Sequence, residues 1–252
     1  LMTVILSEIP KRCKKPRDHG LTMMMDKGLS IRQAEDFLEN SAKYTDIIKL
    51  GFGTSIVTPN IEKKIALYKK YNIIVYVGGT LFEAFLIRNQ INDYQKYLKD
   101  IGVNMVEISD GSIKIPHAKK CDYISSFAKD FTVLSEVGNK NDIQIPINEW
   151  VKNMKNELKA GSWKVIAEAR EGGNVGIFKN DGNIKSKLIK EITEKISVSK
   201  IIWEAPRKQQ QTWFINEFGS NVNLGNISYE DIIPLECLRI GLRSDTFTKF
   251  IK

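Results

Sequence analysis

The chain has 252 residues, of which 42% are hydrophobic and 27% charged, and its formal net charge is +8. This composition is typical of a globular protein with enough apolar residues for one large core or two small ones. Its three cysteines, Cys13, Cys121 and Cys237, lie far apart and form no CxxC pair. The spacing argues against a disulfide framework and a zinc knuckle, so we expect a protein of the reducing cytoplasm.

Much of the excess positive charge lies in residues 11–17, which read KRCKKPR. A surface that binds nucleic acid combines basic residues with aromatic ones, and no stretch of the chain does so. No apolar run approaches the length of a membrane span, and the apolar piece at 2–6 is too short for a secretion signal. We therefore expect neither a nucleic acid nor a membrane as partner.

Short apolar runs alternate with helical patterns along the whole chain. Eight runs predict β-strands, at 22–25, 47–48, 73–77, 104–108, 132–135, 165–167, 201–203 and 222–224. Apolar residues at helical spacing predict helices at 30–42, 59–68, 81–87, 92–98, 118–129, 148–159, 188–196, 209–218 and 231–242. The first helix opens with a capping box formed by Ser30 and Gln33.

Each predicted strand ends in a polar residue or a glycine. These residues are Asp26, Lys49, Gly78, Glu107, Glu136, Glu168, Glu204 and Asn223. They recur roughly every 28 residues, which fits eight strand–helix units in a chain of this length. We therefore predict an α/β protein, a single-domain (β/α)8 TIM barrel over 21–252 that follows a polar lead-in at 1–20. A doubly wound open sheet is the alternative, but the turn at 26–28 is neither a GxGxxG nor a Walker motif.

The segment 164–176, KVIAEAREGGNVG, carries the strongest signal for a binding site. A buried strand is followed by Glu168 and Arg170 and then by Gly172, Gly173 and Gly176. A carboxylate, a guanidinium and accessible backbone N–H groups together suit an anionic or metal-bound small molecule. A strand end with a solvated salt bridge and a flexible turn is the alternative for this segment alone.

A barrel would bring the charged residues at its strand ends to one mouth. They are Lys27, Lys49, Glu107, Asp110, Glu136, Lys140, Glu168, Arg170 and Glu204. Several carboxylates at one place need a divalent cation or lysines to neutralise them. Neither histidine, His19 or His117, is at a predicted strand end, so oxygen ligands favour Mg²⁺ or Mn²⁺ over zinc.

A phosphate site is predicted near the last strand. Asn223, Gly225 and Asn226 follow it in the predicted register, and Gly172 and Gly173 follow the sixth strand. Loops late in a TIM barrel commonly bind phosphate through backbone N–H groups. An ordinary turn at Gly225 is the alternative.

Nine motifs in order resemble those of the phosphosulfolactate synthase family and of plant heat-stress-associated proteins related to it. They are DKG (26–28), KLGFGTS (49–55), GGTLFE (78–83), VEISDG (106–111), EVG with Lys140 (136–140), EAREGG (168–173), WEAP (203–206), VNLGNI (222–227) and LRSDTF (242–247). The resemblance runs from about 15 to 247 and implies a TIM barrel that adds sulfite to phosphoenolpyruvate with Mg²⁺. The product, (2R)-phospho-3-sulfolactate, leads to coenzyme M in methanogens.

The resemblance also implies roles for individual residues. Glu107, Glu136 and Glu168 would hold Mg²⁺, and Lys140 would act as the general acid. Lys49 and Arg170 would be catalytic with Lys140 and, like Lys27, would hold anionic groups of the substrate. The other predicted substrate-binding residues, on the phosphate side, are Gly172, Gly173, Asn223, Gly225 and Asn226.

Two other functions stay open on the sequence alone. One is a different Mg²⁺-dependent barrel lyase or aldolase that acts on a phosphorylated enolate or keto acid. The other is a non-catalytic, stress-related barrel protein, against which the full set of strand-end charges argues. Aromatic residues on the predicted outer helices also suggest a homo-oligomer.

Overall fold

The computed structural model describes residues 6–138, 145–169 and 172–251. Eight parallel strands pair in sequence order, and the eighth pairs with the first to close a barrel. The strands are β1 (Thr22–Asp26), β2 (Ile47–Leu50), β3 (Ile74–Val77), β4 (Met105–Ile108), β5 (Thr132–Val137), β6 (Ser162–Ala167), β7 (Ile201–Glu204) and β8 (Leu224–Ile227). The predicted single-domain (β/α)8 TIM barrel is confirmed.

Ten α-helices surround the barrel within the described residues. They are α1 (Ile31–Ser41), α2 (Thr54–Val57), α3 (Ile61–Lys70), α4 (Gly79–Leu86), α5 (Ile91–Asp100), α6 (His117–Phe127), α7 (Ile147–Ala160), α8 (Ser186–Thr193), α9 (Lys208–Phe218) and α10 (Ile232–Arg239). The capping box predicted for α1 is confirmed, since the Gln33 N–H donates to Ser30 Oγ and the Ser30 N–H to Gln33 Oε1. No helix of the described part of the chain is long and apolar enough to cross a membrane.

The barrel interior contains a layer of large apolar side chains, here called the inner apolar layer. Each of the first seven strands contributes one residue: Met23, Ile47, Tyr76, Met105, Leu134, Ile166 and Ile202. Gly225 of β8 has no side chain to contribute, and a Cβ on it would collide with Met23 and lie 2.9 Å from Ile202. The inner apolar layer fills the barrel below its carboxyl-terminal mouth. Polar residues further along each strand therefore lie between this packed layer and the mouth.

The last strand lies later in the chain than its apolar residues predicted. It spans Leu224–Ile227, so Asn223 precedes the strand. The Asn223 side chain accepts the Leu21 N–H at 3.1 Å and donates to the carbonyl of Ile201 at 2.9 Å. Both partners lie at the starts of strands. Asn223 therefore caps the amino-terminal end of the barrel, opposite the mouth, and its predicted place at a strand's carboxyl end is wrong.

The basic lead-in packs across the amino-terminal end of the barrel. Lys15 Nζ donates to the carbonyl of Thr45 at 2.7 Å, and Arg17 forms a 2.9 Å ion pair with Asp46, both just before β2. Arg12 pairs with Glu236 of α10 at 3.0 Å. Three of the basic side chains of this segment thus have partners within the protein, at the end of the barrel away from its mouth.

Candidate active site

Five charged side chains form a layer directly above the inner apolar layer, and we call them the charged layer. They are Lys49, Glu107, Glu136, Glu168 and Glu204, all at most 6% exposed. Each lies two residues after a member of the inner apolar layer, on the same strand or, for Glu168, directly after it. Because side chains alternate across a strand, that spacing turns all five into the barrel. Four carboxylates and one ammonium therefore share a small volume from which water is largely excluded.

Lys49 lies among the carboxylates rather than in open solvent. Its Nζ is 3.0 Å from Glu107 Oε2, 3.4 Å from Glu204 Oε1 and 3.6 Å from Glu136 Oε2. Burial alone would lower the pKa of Lys49, but the surrounding carboxylates, Glu107 foremost, outweigh it and hold that pKa well above its ordinary value. The side chain is therefore a fixed positive charge at the working pH of an enzyme.

Glu107 has hydrogen bonds to both of its carboxylate oxygens. Oε1 accepts the Gly79 N–H at 2.7 Å, and Oε2 accepts the Tyr76 hydroxyl at 2.8 Å in addition to its contact with Lys49. Burial, and then the charge of Glu107, raise the pKa of Tyr76 well above its ordinary value, so the phenol stays a donor. Glu107 is thus anchored toward β3 and α4, with both oxygens directed at donors of the protein.

Glu136, Glu168 and Glu204 converge on one point. Each offers a carboxylate oxygen, and the three oxygens lie within 4.8 Å of one another. Glu204 Oε2 also accepts the Ala169 N–H at 2.9 Å, which fixes its orientation. Burial, together with the negative charge of Glu136 and against the opposing charge of Lys49, raises the pKa of Glu204 to about 7.

This donor set fits a hard divalent cation. It consists of oxygen atoms from three adjacent strands, and oxygen ligands suit Mg²⁺ or Mn²⁺. The charged layer also has an excess of carboxylates over its single lysine. A bound cation would offset both the burial of these carboxylates and their mutual repulsion, which together raise the pKa of Glu204. The three glutamates, here called the acidic triad, can therefore hold a metal ion.

A second buried lysine fixes the backbone beside the acidic triad. Lys120 Nζ donates to the carbonyl oxygen of Glu136 at 2.6 Å and forms ion pairs with Asp110 at 2.8 Å and Glu157 at 2.9 Å. Sequence reasoning missed Lys120, although it lies on the apolar stripe of α6 with Ile124 and Phe127. A lysine at a core position of a helix implies a buried acidic or carbonyl partner, and this position can be recognised from the helical spacing in the sequence.

The glycine-rich loop after β6 folds back over the end of its own strand. Gly176 has a φ of +64°, and the Ile177 N–H donates to the carbonyl of Glu168 at 3.0 Å. Gly173 presents its carbonyl to the Gln210 side chain of α9 at 2.8 Å, while Gly172 is exposed. In the sequence, Gly172 and Gly173 follow Glu168 of the acidic triad, on the loop that joins β6 to α8.

The loop after β1 presents Lys27 to solvent. Asp26 turns outward instead, toward the helices, where it pairs with Lys64 of α3 at 2.8 Å and accepts the N–H groups of Gly28 and Leu29. This fixed turn leaves Lys27 exposed at the carboxyl end of β1. Asp26 thus holds the loop and does not contribute to the charged layer.

The remaining predicted substrate-binding residues have different positions in the fold. Asn226 is near the carboxyl end of β8, with a φ of +56°; it is 6% exposed, and its Oδ1 has no hydrogen-bond partner among the described residues. Gly225 lies within β8 against the inner apolar layer rather than in a loop, and Asn223 lies at the opposite end of the barrel. Lys140 and Arg170 lie outside the described residues.

Comparison with known proteins points to one family. A family model described as (2R)-phospho-3-sulfolactate synthase matches residues 10–245. Phosphosulfolactate synthase of Bacillus subtilis (strain 168) is 38% identical over 245 residues, which cover 95% of this chain and 97% of that protein. The protein HEAT-STRESS-ASSOCIATED 32 of Arabidopsis thaliana is 21% identical over 90% of this chain and 88% of its own length.

Solved structures agree on the fold. The crystal structure of 3-hexulose-6-phosphate synthase from Salmonella typhimurium matches with a TM-score of 0.55, covering 88% of this chain and 100% of that one. Its sequence is only 12% identical. At that identity the match supports the barrel architecture and carries no argument about chemistry.

Proposed function

Because the chain belongs to the (2R)-phospho-3-sulfolactate synthase family, we propose that this enzyme adds sulfite to phosphoenolpyruvate in a Mg²⁺-dependent reaction that gives (2R)-phospho-3-sulfolactate. The observation that supports the metal requirement is the acidic triad, three buried carboxylates whose oxygens lie within 4.8 Å of one another. In this proposal Glu136, Glu168 and Glu204 hold the ion at the floor of the mouth. Bound there, Mg²⁺ supplies positive charge against the carboxylate of the substrate, where negative charge develops during the reaction.

The proposed chemistry needs no other co-reactant. The sulfur lone pair of sulfite forms the new C–S bond at the methylene carbon of phosphoenolpyruvate, and the electrons of the carbon–carbon double bond move toward the carboxylate. A proton delivered to the phosphate-bearing carbon then completes the product. We assign that proton to Lys140, which follows the EVG motif (136–138) in the sequence and is the lysine that the family resemblance implied as general acid.

The two substrates together carry three kinds of anionic group, namely carboxylate, phosphate and sulfite, and basic or glycine-rich segments follow several of the strands in the sequence. Lys27 is exposed after β1, and Arg170 follows directly on Glu168 and Ala169 in the chain. In this proposal these two side chains bind the anionic groups, and the backbone of Gly172 and Gly173 together with Asn226 takes the phosphate side. Lys49 acts from below, as a fixed positive charge within the charged layer.

The reaction is tested by mixing the purified protein with phosphoenolpyruvate, sulfite and Mg²⁺ and following the components by NMR. Formation of phosphosulfolactate that requires all three components, and that stops with EDTA, would support the proposal. If phosphoenolpyruvate raises the melting temperature but is not consumed with sulfite, another nucleophile is indicated. If no product forms and no ligand raises the melting temperature, the proposed activity is wrong.

Replacing Lys140 with alanine is expected to reduce product formation by about 10²–10⁴-fold, the usual contribution of a positioned general acid. The circular dichroism spectrum and the melting temperature should stay close to those of the wild type. Steady-state kinetics with both substrates saturating measure the effect on kcat. Turnover within a few-fold of the wild type would remove Lys140 from the general-acid role.

Metal binding is expected to strengthen with pH through the pKa of Glu204. That pKa is raised to about 7 in the metal-free protein, so at lower pH an ion must displace a proton from the carboxyl group before it can bind. Affinity should therefore rise by up to about tenfold per pH unit below about pH 7 and level off above about pH 8. Mn²⁺ calorimetry in buffers of different ionisation enthalpy measures both the affinity and the released proton. Affinity independent of pH would show that Glu204 takes no part in holding the ion.

A further inference from the structure

We propose that Lys49 is a permanent cation of the charged layer that takes the place of a second divalent ion, and that Glu107 anchors this lysine rather than binding metal. The inference rests on the proposed metal site at the acidic triad. The site would then accept one metal ion. Lys49 and Glu107, which the sequence predicted together as charged residues at strand ends, would have different roles.

Two carboxylates of the acidic triad also contact the ammonium of Lys49. Lys49 Nζ is 3.4 Å from Glu204 and 3.6 Å from Glu136, and both of these residues also belong to the triad. Two cations that share carboxylates across a short distance are the arrangement of two-metal sites in enzymes. In this protein a lysine from β2 occupies the position that a second metal ion would take.

Both carboxylate oxygens of Glu107 accept hydrogen bonds from the protein. Its Oε1 accepts the Gly79 N–H at 2.7 Å, and its Oε2 accepts the Tyr76 hydroxyl at 2.8 Å and lies 3.0 Å from Lys49 Nζ. That contact is the shortest that Lys49 makes with the three carboxylates around it. A carboxylate held at both oxygens in this way fixes the ammonium against the wall formed by β3 and β4.

The charges buried in the layer also bear on the number of ions. With all four glutamates counted as carboxylates, the layer has three more negative charges than Lys49 balances, and one divalent ion reduces this excess to one. A lysine held by a covalent side chain cannot be exchanged for Mg²⁺ as the ion's concentration varies. The layer therefore keeps one exchangeable cation position, and the anionic substrate meets one ion at the mouth.

The test is an ion count on the full chain without substrate. Mn²⁺ titrations by calorimetry and electron paramagnetic resonance should give one ion per chain in the wild type and two in Lys49→Ala, where Glu107, Glu136 and Glu204 surround the vacated space. Lys49→Arg keeps the charge and should keep the count at one. As a matched control, Lys64→Ala removes another buried lysine, one that pairs with Asp26 outside the charged layer, and should also leave one ion.

Loss of Lys49 exposes its partners to repulsion, so the metal-free Lys49→Ala protein could fail to fold. The double variant Lys49→Met with Glu107→Gln removes one charge of each sign and should bind a single Mn²⁺ within about threefold of wild-type affinity. The proposal is overturned by any of three results. These are two ions in the wild type, one ion in folded Lys49→Ala, or a loss of Mn²⁺ affinity of tenfold or more in the double variant. Absence of any Mn²⁺ binding would overturn both this proposal and the metal site, whereas the expected ion counts without sulfite addition would overturn the proposed reaction alone.

Discussion

Replacing Glu204 with glutamine is expected to weaken Mg²⁺ binding at least tenfold and to lower kcat by about 10²–10³-fold. The amide removes one of the three buried carboxylates that converge within 4.8 Å, while its oxygen can still accept the Ala169 N–H that orients the side chain. The change therefore removes a ligand with little change in shape. Mn²⁺ calorimetry measures the affinity, and steady-state kinetics over a range of Mg²⁺ concentrations measure the activity.

Glu83→Gln is the matched control for this prediction. Glu83 of α4 is also buried, at 2% exposure, and accepts the Ser112 N–H at 2.8 Å and the Ser109 hydroxyl, and it is not a member of the acidic triad. The same carboxylate-to-amide change there should leave metal affinity and kcat within a few-fold of the wild type. If Glu204→Gln binds Mn²⁺ as tightly as the Glu83 variant, Glu204 is not a ligand.

The sequence predicted the barrel and the members of the charged layer because both depend on local periodicity. An apolar residue followed two positions later by a charged one occurs at Ile166 and Glu168, for example, and the pleat of a strand turns both to the same side. Parallel strands then bring their carboxyl ends together whatever the details of the helices. Convergence of the charges was therefore predictable from the chain alone.

The division of tasks within the charged layer was not predictable in the same way. The family resemblance grouped Glu107 with Glu136 and Glu168, whereas the oxygens that converge belong to Glu136, Glu168 and Glu204. The difference arises from the side chain of Tyr76 and the N–H of Gly79, which hold Glu107 toward β3 and α4. Contacts between neighbouring strands of this kind have no periodic signature in the sequence.

The eighth strand shows a different limit of sequence reasoning. Val222 and Leu224 are both buried, so they read as a strand, yet the strand begins only at Leu224. The pairing of β8 with β1 shifts by one residue, from Thr22 opposite Leu224 to Met24 opposite Ile227, and Asn226 has a φ of +56°. Because the strand begins at Leu224, Asn223 precedes it and Gly225 lies inside it, whereas Asn226 still lies near its carboxyl end. The shift in pairing is a local irregularity between Leu224 and Ile227.

Replacing Gly176 with alanine is expected to lower the free energy of unfolding by about 2–5 kcal/mol and to weaken metal binding at the same time. Gly176 has a φ of +64°, which costs an alanine about 1–2 kcal/mol, and the new Cβ would overlap the carbonyl oxygen of Glu168 and lie 2.7 Å from its carbonyl carbon. Overpacking against backbone adds about 1–3 kcal/mol, since neither segment can rotate away. Relief of the overlap must move the backbone of Glu168, and with it a carboxylate of the acidic triad. Urea unfolding and Mn²⁺ calorimetry measure the two effects.

Gly102→Ala separates the overlap from the backbone strain. Gly102 has a similar φ of +77°, but a Cβ there would meet only the end of the Lys69 side chain, at 4.0 Å, near the amino-terminal end of β4. This variant should lose about 1–2 kcal/mol of stability and keep wild-type metal affinity. Equal losses in the two variants, with metal affinity unchanged in both, would mean that the turn at Gly176 can shift without moving Glu168. A larger loss confined to Gly176→Ala, accompanied by weaker Mn²⁺ binding, would show that the loop after β6 helps to position Glu168 through its close contact with the Glu168 carbonyl.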